Sequence, residues 1–132
     1  MAFLLNGQNT KPSYIFGKVE LIDETKLPSN SIIDLELNST LVDGHIIATG
    51  NDSRTEIINK NGILRIGSLT VAKWVNENSI WMHSGSILYC SESTQSLNIS
   101  TTNAKANISG KGTIIIEATQ NGGFKFIPLE GK

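Results

Sequence analysis

Apolar residues in this chain come in short runs, each broken by glycine or small polar residues before it reaches helical length. From Ser31 to Leu37, the residues Ile33, Leu35 and Leu37 alternate with Asp34 and Glu36, the period of a half-buried strand. Leu69 and Val71 alternate with Thr70 and Ala72, Leu97 and Ile99 share a face, and Ala106 and Ile108 alternate with Lys105 and Asn107. Tyr14 to Ile22, Ile46 to Ala48, Arg54 to Ile58, Ile63 to Ile66, Ile80 to Met82, Ile87 to Cys90, Ile114 to Ile116 and Phe124 to Leu129 are further strand segments. Between them lie turn signals: Asp23-Glu24-Thr25-Lys26, Gly50-Asn51-Asp52, Asn61-Gly62, Asn76-Glu77-Asn78, Ser84-Gly85 and Asn121-Gly122-Gly123. Asn61-Gly62 predicts a tight hairpin, because both residues tolerate positive φ. No segment keeps an apolar stripe of helical period.

About a dozen short strands at roughly ten-residue spacing predict an all-β domain, built as a sandwich, a barrel or a solenoid. The length of 132 residues suits one domain. Residues 1–12 read as a flexible polar arm and 13–132 as the domain. Gly50, Gly62, Gly67, Gly85, Gly110 and Gly112 are expected to serve as structural corners, with Thr113 opening the most buried strand. The expected core is Ile57, Leu64, Ile66, Val71, Ile87, Ile99, Ile108, Ile114 and Ile116.

Composition narrows the function. A net charge of −1 gives no general attraction to nucleic acid or to an anionic membrane. No apolar stretch approaches the ~20 residues of a membrane-spanning helix, and Met1-Ala2-Phe3-Leu4-Leu5 lacks the basic flank of a signal peptide. The single Cys90 permits no internal disulfide and no cysteine-based metal site. His45 and His83 are far apart and sit in no ligand motif, so no metal and no cofactor is expected.

Signals for catalysis are equally sparse. There is no Gly-x-Ser-x-Gly elbow, and Ser84-Gly85-Ser86 reads as a turn. Ser109-Gly110-Lys111-Gly112-Thr113 lacks phosphate-loop spacing and precedes a strand rather than a helix. A non-enzymatic chain is therefore expected. Trp74 and Trp81 are the candidate ligand or partner contacts, since an exposed indole can stack on a sugar ring; the competing reading places at least one of them in the core.

Several short motifs, kept in order, carry a resemblance. Thr49-Gly50-Asn51-Asp52-Ser53-Arg54 is followed by Asn61-Gly62-Ile63-Leu64-Arg65-Ile66-Gly67, then Gly85-Ser86-Ile87-Leu88, then Ala104 to Thr113, then Pro128-Leu129-Glu130-Gly131. Over about residues 40–131 this set resembles the FecR domain family. Lys111 stands where the family more often has arginine, with Gly110 added. The family's helical cytoplasmic region and membrane span have no counterpart in these residues, so the resemblance implies its extracytoplasmic part, an all-β, solenoid-like domain, with a β-sandwich or jelly-roll as the alternative architecture. It implies a periplasmic or cell-envelope location, a signal-relay or protein-binding role, and another envelope protein as partner. A carbohydrate- or small-ligand-binding module and a structural assembly subunit are the alternatives.

Overall fold

The computed structural model describes residues 10–23, 32–60, 62–76, 78–92, 96–119 and 122–131. Its strands are β1 (Lys11–Phe16), β2 (Val19–Asp23), β3 (Ile32–Asp34), β4 (His45–Thr49), β5 (Arg54–Asn59) and β6 (Gly62–Ile66). They continue with β7 (Val71–Asn76), β8 (Ser79–Ser91), β9 (Leu97–Ser100), β10 (Lys105–Ile108), β11 (Gly112–Ala118) and β12 (Phe124–Gly131). The chain is all-β, as the short alternating runs predict. No helix among the described residues is long and apolar enough to cross a membrane.

The strands form one 12-stranded sheet that curls on itself as a half-barrel. Strand β8, 13 residues long, belongs to both halves. Its first part pairs with β7 and, in parallel, with β9. Its second part pairs with β6 and β11, both antiparallel. One half therefore runs β1-β5-β6-β8-β11-β12, and the other runs β3-β2-β4-β7-β8-β9-β10.

This is not a solenoid. A solenoid stacks each coil on its sequence neighbour. Here β1 pairs with β5, β4 with β7 and β6 with β8, so long-range antiparallel ladders close the fold.

Inward-facing residues of both halves make a single core. Ile57, Leu64, Ile66, Ile87, Tyr89 and Ile116 come from one side, and Val19, Leu21, Ile47, Ala72, Trp74, Ile80, Met82 and Ile99 from the other. Of the core expected from sequence, Val71, Ile108 and Ile114 are only half-buried. The face of β7 is the reverse of the one expected. Leu69 is 62% exposed with φ +53, whereas Thr70 and Ala72 are fully buried. The turn ahead of β7 sets that phase. Likewise only Leu35 of its run is buried; Ile33, on the exposed edge strand β3, and Leu37, beyond its end, face outward. Strand β11 is half-buried along most of its length, with Ile116 its one sealed position, so Thr113 does not open the most buried strand.

The chain changes halves at several points, and four of them meet at one corner of the molecule. Gly17 and Lys18 lead from β1 to β2, Gly50 to Ser53 from β4 to β5, and Gly67 to Thr70 from β6 to β7; β8 crosses at Gly85. Tyr14 to Ile22 is thus two strands, and Ser84-Gly85-Ser86 lies inside a strand instead of forming a turn. Hydrogen bonds knit these crossings together: Gly50 N–H to Lys18 O at 2.9 Å, Leu69 N–H to Gly50 O at 3.1 Å and Gly67 N–H to Ser86 O at 3.0 Å. Side-chain hydroxyls complete the set. Ser53 Oγ accepts from Lys18 N–H at 2.8 Å, and Thr70 Oγ1 accepts from Ser86 N–H at 3.0 Å. Backbone groups that leave a ladder need such partners when buried.

The arm expected over 1–12 falls largely outside the described residues, and its last part is not free. Thr10 is buried and bridges Leu41, while Lys11 and Pro12 open β1. Both outer strands of the β1–β12 half carry a proline beside an extra residue. The register of β1 shifts between Pro12 and Tyr14, and that of β12 shifts around Pro128 and Leu129.

Candidate functional site

Strand alternation sends every second residue of the β1–β12 half outward. Register then aligns those residues across the sheet. Tyr14 stands opposite Glu56, Glu56 opposite Arg65, Arg65 opposite Leu88, Leu88 opposite Ile115, and Ile115 opposite Ile127. This outer row is aromatic and charged at the β1 end and apolar at the β12 end. A groove of about 440 Å³ follows it, walled by Tyr14, Arg54, Glu56 and Arg65 and floored by Leu88 and Ile115. Its size falls in the range of small-ligand sites.

Arg54 dominates the polar end. Its guanidinium lies 4.8 Å from the Phe16 ring centroid and 5.8 Å from that of Tyr14. Such stacking orients the group while leaving its N–H edge available. Arg65 Nε lies 3.8 Å from Glu56 Oε2, a long pair in which Arg65 is exposed and Glu56 half-buried. Two guanidinium groups thus face the groove with one carboxylate between them.

The residues singled out from sequence lie elsewhere. Trp74 is 2% exposed and belongs to the core, so it cannot serve as a ligand platform. Its Nε1–H has no hydrogen-bond partner among the described residues. Trp81 is half-buried on the outer side of β8, with its ring 5.8 Å from that of His83 at 32°. His83 also lines a second cleft, of about 460 Å³, with Ser84, Thr101, Thr102, Asn103 and Thr119. Where β8 changes halves, the β9–β10 and β11–β12 hairpins diverge and open this cleft.

The glycines divide by role. Gly50, Gly67 and Gly85 lie at the crossing corner, and a β-carbon on Gly85 would collide with Thr70. Gly62 lies against the Cys90 carbonyl, where β6 meets β8, and its N–H donates to Asn59 Oδ1 at 3.2 Å, closing the hairpin expected at Asn61-Gly62. Gly110 has φ +90 with open space around it. Gly112 has φ +144 and pairs with Ser91 and Gly131. Thr113 donates to Cys90 Sγ at 3.6 Å.

His45 is held by structure, accepting from Val42 N–H at Nδ1 (3.2 Å) and facing Asp23 Oδ2 at 3.3 Å through Nε2. Among the described residues no group of three or more His, Cys, Asp or Glu side chains comes together.

Sequence reasoning placed Arg54 and Arg65 inside motifs and did not single out the groove. Their alternation with Thr55, Ile57, Leu64 and Ile66 was readable, but the pairing of β1 with β5 and of β6 with β8 that brings them together was not. Comparison with family models, with curated proteins and with solved structures finds no match for this chain.

Proposed function

We propose that this chain is a non-enzymatic, FecR-like recognition module that works at the cell envelope and engages a partner protein through the outer face of its β1–β12 half. The observation that carries the reading is the outer row Tyr14–Glu56–Arg65–Leu88–Ile115–Ile127, chemically graded and open. Part of the residue set that carries the FecR resemblance has a structural place. Thr49, Gly50, Ser53 and Gly67 of the first two motifs all lie at the corner where the chain changes halves.

Photo-crosslinking in the native host tests this reading. A photoreactive residue replaces Leu88, and a control replaces Lys73 on the outer side of the other half. The expected result is one discrete protein adduct from position 88 in the envelope fraction. Identical adducts from both positions, or a chain confined to the cytoplasmic fraction, would refute it.

A second reading, a carbohydrate-binding module, draws on the cleft beside His83. Its walls are hydroxyl- and amide-rich, and Trp81 lies next to His83. Glycan-array binding that is lost in Trp81→Ala would favour it over protein recognition.

A further inference from the structure

Taking the outer face as the recognition face, we propose that its groove binds an amphipathic carboxylate: an apolar body with a single anionic head. The head is held at Arg54 and Arg65 and the body lies over Leu88 and Ile115. The inference names a ligand class for the site and rests on that reading of the face.

Charge complementarity selects the head. Among the described residues the groove presents Arg54 and Arg65 against Glu56 alone, and Arg54 has no carboxylate partner. The Glu56–Arg65 pair at 3.8 Å leaves guanidinium N–H groups available as well. Arg54 is braced by Phe16 and Tyr14, so little side-chain freedom is lost when an anion arrives. A planar carboxylate matches the forked donors of a guanidinium better than a point-like cation or a neutral hydroxyl would.

Register selects the body. Leu88 stands directly opposite Arg65, and Ile115 directly opposite Leu88, so the apolar floor begins one strand away from the charged end. From Arg65 to Ile115 is about 10 Å, two strand spacings, which suits a medium-length alkyl or aryl group laid across the strands.

Decanoate is the probe, titrated below its micelle concentration into the full chain and followed by backbone amide chemical shifts. Decyltrimethylammonium supplies the same body with the opposite charge, and acetate the head without the body. The expected result is saturable shifts confined to Arg54, Arg65, Leu88, Ile115 and their neighbours with decanoate, and neither control reproducing them. Arg54→Gln should weaken decanoate binding about tenfold and leave the melting temperature of the free protein nearly unchanged, because Arg54 is exposed. Shifts scattered over the surface, an equal response to decyltrimethylammonium, or self-association through this face that decanoate does not reverse would each overturn the proposal. If decanoate fails while position 88 still crosslinks one envelope protein, the ligand class falls and the recognition face stands. If decanoate binds and the crosslink fails, the protein-recognition reading falls and the ligand site stands.

Discussion

Thr49 and Thr70 hold each other reciprocally: Thr49 N–H donates to the Thr70 carbonyl at 2.9 Å, and Thr70 N–H donates to Thr49 Oγ1 at 2.9 Å. The same Thr49 hydroxyl donates to the Gly67 carbonyl at 2.6 Å. One side chain thus ties the β4–β5 crossing to the β6–β7 crossing. Thr49→Val keeps the shape but strands the Thr70 N–H and the Gly67 carbonyl. It should cost about 1–3 kcal/mol in urea denaturation, with Thr49→Ser much closer to wild type. Equal losses in the two variants would show that the methyl group, and not the hydroxyl, holds the corner.

Gly85 and Gly110 share positive φ, +99 and +90, but only Gly85 is crowded. An alanine at Gly110 meets open space and should cost only the backbone penalty, about 1–2 kcal/mol. At Gly85 the added carbon runs into Thr70, so overpacking adds a further 1–3 kcal/mol or so, and Thr70 must abandon its bond to Ser86. Thermal melting of the two variants should separate them clearly, with Gly85→Ala the lower.

Trp74 fills the core but leaves its indole N–H unpartnered among the described residues. Trp74→Phe removes that orphan donor while keeping most of the volume, so its cost should stay below about 1.5 kcal/mol. Trp74→Ala should cost about 3–5 kcal/mol. Comparable losses in the two, measured by equilibrium denaturation, would mean the indole nitrogen is doing more than filling space.

Tyr89 is expected to contribute to the loss of stability at alkaline pH. Burial raises its phenol above the ordinary value of 10.0, against a smaller opposing effect from its hydrogen bond with Ser91. The unfolded chain therefore loses this proton first as pH rises. The contribution is present in full below the unfolded value of 10.0 and is lost as pH climbs from there through the raised folded value. Tyr89→Phe should flatten the fall of melting temperature above pH 10, the ordinary value for the phenol, relative to wild type. An unchanged alkaline slope would show that other groups set it.

Much of the fold was legible because period-2 patterning is local. Arg54 to Ile58 and Ile63 to Ile66 disclose both their strands and their inward faces, and Ile57, Leu64 and Ile66 are sealed as their alternation predicts. The failures cluster where long-range pairing takes control. Leu69 is more apolar than Thr70, yet the crossing needs the threonine hydroxyl inside, so the phase of β7 inverts. Ser84-Gly85 looks like a reversal, but a bend within β8 meets the same residues' preferences and lets one strand serve both halves. The groove was hidden for a related reason. Tyr14, Arg54, Arg65, Leu88 and Ile115 lie on different strands, and no interval along the chain announces that they align.

The prolines and extra residues of β1 and β12 also bear on what the molecule can join. An unprotected border strand offers a comb of free amide and carbonyl groups, on which a foreign strand can template itself. Pro12 and Pro128 each remove one tooth from that comb, and the misregister beside each throws the remaining teeth out of phase. Sideways growth into ribbons or fibrils is thereby discouraged at both borders of this half. Association is left to the broad side, where side-chain chemistry, rather than the generic backbone, decides which molecules are accepted.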